Sequence, residues 1–152
     1  MMLRELLPDM SVPAIAIQGI CEDSRRVKSG DLFCAVAGEL TDARDHIATA
    51  IGNGAAAVLG EAPLPGTFSP VVPIVAVEGL RSRLSEIACR FYGHPSEALS
   101  VFAVTGTNGK TSFTQLLAQA LSSSSAKCGL IGTMGSGVPG ALIDPGLTTP
   151  AA

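Results

Sequence analysis

One segment restricts the possible folds of this chain more than any other. An apolar run at residues 101–104 leads into a loop at residues 105–109 that contains two glycines. From Lys110 onward, Phe113, Leu116 and Leu117 recur at helical spacing. This order predicts a strand, a tight loop and a helix in succession, which is the repeating unit of α/β folds.

The loop has the chemistry of a phosphate-binding site. Gly106 and Gly109 allow backbone N–H groups to close on an oligophosphate, and the N-terminus of the following helix adds a partial positive charge. Lys110 is expected to reach the β and γ phosphates of a nucleotide. Thr111 is expected to place its hydroxyl on Mg²⁺, and Ser112 adds a second hydroxyl.

The spacing of this motif is G-x-x-G-K-[ST], shorter than the common phosphate-loop pattern, because Val104 stands where that pattern has its first glycine. A chance match in a chain of this length is expected about once in a hundred sequences at average glycine usage. The alternative without function is a flexible loop at the start of a helix.

Composition excludes several classes of protein. The chain has 152 residues, 47% of them hydrophobic, with 17 glycines, which favours a globular α/β protein over a disordered chain or a coiled coil. The net charge is −3 and there is no basic run, so we expect no nucleic-acid partner. The apolar runs are shorter than the roughly 18 residues of a membrane span, and no export signal is recognisable. We therefore expect a cytoplasmic protein with no membrane contact.

The remaining elements follow from apolar spacing and from turn residues. The sequence predicts helices over residues 3–7, 43–51 and 80–91, and strands over residues 14–17, 32–37, 56–59, 71–77 and 128–131. Residues 134–140 are predicted to form a mobile loop that could close over a ligand. Asp23 and Asp42 have the chemistry of N-caps, and Asn53-Gly54 supplies a left-handed residue of the kind that commonly ends a helix. The four cysteines stand far apart in apolar contexts and are expected to be reduced.

Several motifs occur together along the chain. They are Asp-Ser-Arg-Arg-Val at residues 23–27, Ser-Gly-Asp-Leu-Phe at 29–33, Arg-Phe-Tyr-Gly-His-Pro-Ser at 90–96, Val-Thr-Gly-Thr-Asn-Gly-Lys-Thr at 104–111 and Thr-Thr-Pro at 148–150. In this order they resemble the Mur ligase family, the ATP-dependent amide-bond-forming enzymes of peptidoglycan synthesis. The resemblance is to the MurE type, the UDP-N-acetylmuramoyl-tripeptide synthetases, and it covers nearly all of the chain.

The resemblance implies an α/β fold in two parts. Residues 1–95 would form an N-terminal mixed α/β domain that binds the UDP-N-acetylmuramoyl substrate. Residues 96–152 would form the first βαβ of a P-loop ATPase domain, cut short before its end. Since relatives are longer, we expect an N-terminal portion of a monomeric enzyme that is inactive by itself.

The resemblance also implies roles for individual residues. Lys110 and Thr111 would be catalytic, and Thr111 would bind Mg²⁺. The implied ATP-binding residues are Gly106, Thr107, Asn108, Gly109, Lys110, Thr111 and Ser112. The implied substrate-binding residues are Glu22, Ser24, Glu39, Leu40, Thr41, Leu147, Thr148 and Thr149.

In such ligases ATP phosphorylates the terminal carboxylate of UDP-N-acetylmuramoyl-L-alanyl-D-glutamate. The amine of an incoming diamino acid, meso-diaminopimelate or L-lysine, then attacks the acyl phosphate. Two alternatives stay open: a fragment of the Mur ligase that adds D-alanyl-D-alanine, and a non-catalytic nucleotide-binding module. A small P-loop kinase is disfavoured, because the segment after Lys110 is too short for a nucleotide domain.

Overall fold

The computed structural model describes residues 1–38, 41–66, 71–123 and 127–143. These residues form two compact units, Met1–Leu99 and a second unit that begins at Ser100. The sequence predicts a boundary after residue 95, which falls at the start of a 3-10 turn, Pro95–Ala98, near the end of the first unit. No helix in the described part of the chain is long and apolar enough to cross a bilayer.

The first unit is built on a parallel sheet of four strands in chain order. The strands are β1 (Gly19–Cys21), β2 (Asp31–Ala35), β3 (Ala57–Glu61) and β4 (Ile74–Val77). The helices are α1 (Leu3–Leu6), α2 (Ile47–Gly52) and α3 (Leu80–Phe91), with further 3-10 turns at Ser24–Arg26 and Ala43–His46. The α/β class predicted from the sequence is confirmed.

Alternate side chains of β2 enter two separate cores. Leu32 and Cys34 pack with α1 and α3 on one face of the sheet. Phe33 and Ala35 pack with α2 on the other face. All four side chains are fully buried. Both faces of a parallel sheet need such cover, which explains why these strands are apolar throughout rather than alternating.

Three predicted helix boundaries are confirmed. The carboxylate of Asp23 accepts a hydrogen bond from the backbone N–H of Arg25 and caps the turn Ser24–Arg26. Asp42 caps the turn Ala43–His46 in the same way. Gly54 has φ +100° just after α2, a left-handed conformation that few residues other than glycine adopt.

The predicted strand at residues 14–17 does not join the sheet. Ile15 and Ile17 instead hydrogen-bond with the backbone of Leu3 and Met1, and Ala16 forms only an isolated antiparallel bridge to Met2. The strand of the sheet starts later, at Gly19, where it can pair with β2. The apolar pattern of residues 14–17 does not show whether this segment pairs with the N-terminus or with the sheet.

The second unit contains α4 (Lys110–Ser123) and the strands β5 (Leu130–Gly132), β6 (Gly135–Val138) and β7 (Ala141–Ile143). The three strands form an antiparallel sheet. Residues 134–140 were predicted to be a mobile loop, and this prediction is wrong, because β6 pairs on both sides. Their glycine content conceals the strand signal.

The segment before the glycine-containing loop at residues 105–109 also differs from the prediction. Residues 101–104 are not in a strand, and Val101 and Phe102 are 74% and 63% exposed. A strand needs a partner, and the described residues offer none for this segment. The described part of the second unit therefore has one helix followed by an antiparallel sheet, in place of the βαβ that the resemblance implies.

Candidate functional site

The loop before α4 has the backbone conformation that its glycines predict. Gly106 has φ +142° and Gly109 has φ +76°, so both positions disfavour a side chain. α4 begins at Lys110, and the N–H of Phe113 donates to the carbonyl of Gly109 at 2.9 Å. The first N–H groups of a helix have no partner inside it. They and the loop therefore form a suitable place for an anionic group.

Lys110 lies over this loop. Its ammonium donates to the carbonyl oxygen of Gly106 and, at 3.4 Å, to that of Thr107. Among the described residues, Lys110 forms no ion pair with a carboxylate. Its hydrogen-bond partners among the described residues are carbonyl oxygens, which a phosphate group can replace.

A cleft of about 250 Å³ adjoins the start of α4. Lys110 and Thr111 line it on one side, and residues 130–135 of the β5–β6 hairpin line it on the other. The other predicted ATP-binding residues do not line the cleft: Gly106, Thr107, Asn108 and Gly109 of the loop, and Ser112 of α4. The two residues predicted to be catalytic, which are consecutive in sequence, therefore lie beside a space open to a ligand.

Thr133 is a member of this site that the sequence did not reveal. Its hydroxyl is 3.0 Å from the hydroxyl of Thr111, and it lines the same cleft. The turn Thr133–Met134 connects β5 to β6. Because the sequence predicts a mobile loop there, it gave no reason to place Thr133 near Thr111. The apolar residue Ile131 before it and Gly135 after it are the only local signals of a hairpin.

The electrostatics of this region favour an anion. Residues 98–143 contain Lys110 and Lys127 but no aspartate or glutamate. No cluster of three His, Cys, Asp or Glu side chains suited to a metal occurs among the described residues. Mg²⁺ is commonly bound by one or two carboxylates together with phosphate oxygens and water. Here the described residues offer only hydroxyls, those of Thr111 and Thr133, so they fit a metal ion that arrives with phosphate oxygens of its own.

The first unit gathers a second set of predicted residues at one edge of its sheet. Glu22 and Ser24 directly follow β1, and Thr41 lies in the segment that follows β2. β1 and β2 are parallel neighbours, so their carboxyl ends lie on the same edge. Open α/β sheets bind ligands at this edge.

Ser24 is placed by contacts that the sequence did not indicate. It is only 7% exposed, and it is the one buried polar residue in the described part of the first unit. The side-chain amide of Asn53 donates to the Ser24 carbonyl at 2.8 Å and ties the turn Ser24–Arg26 to the end of α2. The Asn-Gly pair at residues 53–54 predicted the end of a helix, but not this second role for Asn53.

Asp23 fixes the same turn by its charge. Besides capping the turn, its carboxylate accepts hydrogen bonds from the Arg25 guanidinium at 2.9 and 2.8 Å. These bonds to Arg25 lower the pKa of Asp23 from 3.8 to about 2. Asp23 therefore stays ionised, and the turn that carries Ser24 keeps its cap, well into acid.

We expect an Asp23→Asn variant to melt at a lower temperature than the parent chain near neutral pH. Asparagine caps about as well as aspartate, so the substitution removes mainly the charge. A carboxylate whose folded pKa is depressed stabilises above its unfolded pKa and loses this effect as pH falls through the folded value. The difference in melting temperature should therefore shrink between pH 3.8 and about 2. Melts followed by circular dichroism across this range check it, and a constant difference would contradict it.

Hydrogen bonds from arginine side chains connect segments at the same edge of the sheet. Arg44 forms a bidentate pair with Asp42 and donates to the carbonyl of Pro63 at 2.8 Å, beyond the end of β3. The bonds from Arg44 lower the pKa of Asp42. Arg81 donates to the carbonyl of Ala37 at 2.7 Å. These hydrogen bonds connect the segment after β2, which contains Thr41, to the end of β3 and to the start of α3.

Five of the predicted site residues lie outside the described residues. They are Glu39, Leu40, Leu147, Thr148 and Thr149.

Comparison with known proteins identifies the family. The family described as "Mur ligase family, catalytic domain" matches residues 16–92, which is half of the chain. The chain belongs to the Mur ligase family. The Mur ligase middle domain matches a second stretch, residues 104–152, which includes the loop at residues 105–109.

Individual relatives agree with this assignment. The chain is 49% identical to UDP-N-acetylmuramoyl-L-alanyl-D-glutamate–2,6-diaminopimelate ligase of Ectopseudomonas mendocina, over 99% of the chain and 31% of that protein. It is 53% identical to the ligase of the same name from Pseudomonas putida, over 88% of the chain and 27% of that protein. The chain thus spans about a third or less of the length of the curated relatives it matches.

Solved structures of Mur ligases share the fold. A UDP-N-acetylmuramoyl-L-alanyl-D-glutamate–2,6-diaminopimelate ligase superposes with a TM-score of 0.73 at 30% identity, over 93% of this chain and 29% of that one. The MurF ligase of Thermotoga maritima, solved in complex with ADP, gives 0.54 at 28% identity, over 74% of this chain and 25% of that one.

Proposed function

We propose that this chain is part of a Mur ligase that joins a diamino acid to UDP-N-acetylmuramoyl-L-alanyl-D-glutamate at the expense of ATP. The observation that carries the proposal is the likeness to ligases named for this reaction, at 49% identity over 99% of the chain. In this proposal, the loop before Lys110 would provide phosphate-binding groups and the turn at Ser24 would provide part of the uridine site. Residues 1–95 would hold the UDP-sugar, and residues 96–152 would begin the ATPase domain.

Lys110 would act on the phosphates of ATP. As the γ-phosphoryl group moves to the substrate carboxylate, negative charge spreads over its oxygens, and a fixed ammonium offsets that charge. The ammonium would exchange its carbonyl partners at Gly106 and Thr107 for phosphate oxygens. The N–H groups at the start of α4 would orient the same phosphates. The resulting acyl phosphate would then be open to the amine of the amino acid.

Thr111 would hold Mg²⁺ through its hydroxyl, with Thr133 beside it. When bound, Mg²⁺ would offset the negative charge of the ATP phosphates. Thr107, Asn108, Gly109 and Ser112 would contribute backbone and hydroxyl contacts to ATP, as the resemblance implies. A MurF structure in complex with ADP supports an adenine nucleotide as the ligand.

The uridine end would bind at the carboxyl edge of the parallel sheet. Ser24 would contact the nucleotide part, with Glu22, Glu39, Leu40 and Thr41 as neighbours. Leu147, Thr148 and Thr149 would meet the muramoyl-peptide part. We propose that the enzyme acts as a monomer in the cytoplasm, where free cysteines such as the four of this chain persist.

The ligase that adds D-alanyl-D-alanine is the second candidate. A ligase of this class from Acinetobacter baumannii gives a TM-score of 0.62 over 80% of the chain, against 0.73 over 93% for the diaminopimelate ligase. The difference favours the diamino acid as the added group.

Calorimetric titration of this chain with UDP-N-acetylmuramoyl-L-alanyl-D-glutamate tests the proposal. We expect Ser24→Ala to weaken binding by about tenfold, the value of one hydrogen bond to a charged ligand. Ser85→Ala makes the same change at an exposed serine of α3 and should leave the affinity unchanged. Absence of binding by the folded parent chain, or equal affinity of parent and Ser24→Ala, would contradict the proposed site.

A further inference from the structure

A thiol, an imidazole and a carboxylate meet at the end of α3, away from both candidate sites. Cys89 lies in the last turn of α3, His94 follows the helix, and Glu97 lies in the turn Pro95–Ala98. The Cys89 sulfur is 3.4 Å from Nδ1 of His94. An Oε1 atom of Glu97 is 3.3 Å from the same nitrogen. Both groups therefore approach the same imidazole nitrogen, which can accept the thiol proton of Cys89 and, once protonated, lies beside a carboxylate.

We propose that Cys89 is a modification site, a thiol that His94 activates for reaction with low-molecular-weight disulfides. The thiol proton passes to Nδ1 of His94 as the sulfur attacks one sulfur of the disulfide. The S–S bond of the reagent breaks, and a mixed disulfide forms at Cys89. The departing thiolate takes the proton from His94, so one half of the reagent leaves as a reduced thiol. The carboxylate of Glu97 stabilises the imidazolium that exists between these two proton transfers.

The backbone holds His94 in position for this role. The N–H of His94 donates to the carbonyl of Cys89 at 2.7 Å, and the N–H of Gly93 donates to that of Arg90 at 3.2 Å. His94 has φ +56°, and it is the only residue other than glycine with a left-handed backbone in the described part of the chain. Such conformations are unfavourable for most residues and cluster at functional positions. The hydrogen bond from the His94 N–H to the Cys89 carbonyl keeps the two residues adjacent.

The site is open to a small reagent. The side chains of His94 and Glu97 are 49% and 77% exposed, and Cys89 is half-buried. Ser96 approaches the sulfur as well, with its hydroxyl at 4.0 Å. A disulfide of the size of oxidised glutathione can therefore reach the thiol from solvent.

Within the described part of the chain, none of the other three cysteines forms a hydrogen bond with a histidine. Cys34 is fully buried, and burial raises the pKa of its thiol to about 12. The Cys21 thiol donates to the carbonyl of Asp23 at 3.2 Å, and the Cys128 thiol donates to the carbonyl of Gly129 at 3.7 Å. A carbonyl oxygen accepts a hydrogen bond from a thiol but does not take its proton. Cys21 and Cys128, both half-buried like Cys89, are thus controls within the same chain.

The experiment measures the rate of glutathionylation at each cysteine. The whole chain is exposed to oxidised glutathione at pH 7, quenched with acid at intervals, and analysed by peptide mass spectrometry. We expect Cys89 to react roughly tenfold faster than Cys21 or Cys128, as general-base assistance predicts. Similar rates at the three half-buried cysteines would overturn the proposal.

Two variants separate the effect of the imidazole from simple exposure. His94→Asn removes the base while keeping a residue that tolerates the left-handed backbone, so the end of α3 is preserved. We expect it to lower the Cys89 rate to that of Cys128. His46→Asn makes the same change at the other histidine of the chain and should alter nothing. An unchanged Cys89 rate in a His94→Asn variant with parental circular dichroism would overturn the role of His94.

Discussion

Replacing Lys110 with alanine is expected to weaken binding of ATP with Mg²⁺ to this chain roughly 100-fold, or about 3 kcal/mol. The ammonium lies over the glycine loop, and its partners there are carbonyl oxygens rather than a carboxylate. Removing it takes away the one positive side chain of the loop. The helix N-terminus remains and retains weak affinity for phosphate. Calorimetry, or a fluorescent ATP analogue titrated in the presence of Mg²⁺, measures the change.

The matched control for this prediction is Lys127→Ala. Lys127 is the only other cationic residue between residues 98 and 143, and it is exposed. The Lys127→Ala variant should lower the ATP affinity only slightly, through a long-range electrostatic effect that salt screens. Equal losses in the two variants would indicate a general attraction of charge instead of a site at Lys110. Retention of parental affinity by Lys110→Ala would contradict the site outright.

Phe33→Ala is expected to destabilise the first unit by about 3–5 kcal/mol, the usual cost of truncating a fully buried phenylalanine. Phe33 is completely buried in the middle of β2 and packs with Ile47 and Val58. β2 lies between β1 and β3, so the cavity would open in the interior of the sheet. Such a loss is a large part of the total stability of a domain. Urea unfolding followed by circular dichroism measures it.

Phe102→Ala provides the comparison for Phe33→Ala. The same ring is removed there from a side chain that is 63% exposed, and the expected change in stability is within about 0.5 kcal/mol. A loss below about 1 kcal/mol for Phe33→Ala would mean that the core between β2 and α2 is not packed as described.

The strongest local signals in the sequence predicted their elements well. α3 occupies residues 80–91 as its apolar spacing predicts, and α4 begins at Lys110, directly after the glycine loop. In both cases a periodic pattern is bounded by residues that stop or start a helix. The caps at Asp23 and Asp42 were predictable for the same reason, because a cap depends on residues close in sequence.

The errors arose where pairing between distant segments decides the structure. Residues 14–17 have a strand pattern but bind the N-terminal residues Met1 and Leu3, and residues 134–140 have a loop composition but contain β6. Spacing along the chain does not reveal which partner a strand finds. The same limit applies to the candidate sites. Thr133 contacts Thr111, and Asn53 contacts Ser24, only because the tertiary fold brings these distant segments together.

We propose that the chain has two separate nucleotide sites, one for a UDP-sugar and one for ATP. Amide chemical shifts of the ¹⁵N-labelled chain test it most directly, in separate titrations with UDP-N-acetylmuramoyl-L-alanyl-D-glutamate and with ATP and Mg²⁺. The first ligand should shift amides at residues 21–26 and 41–43, and the second should shift those at residues 106–112 and at Thr133. Shifts from both ligands in one shared set of residues, or none from either in a folded chain, would contradict the presence of two separate sites.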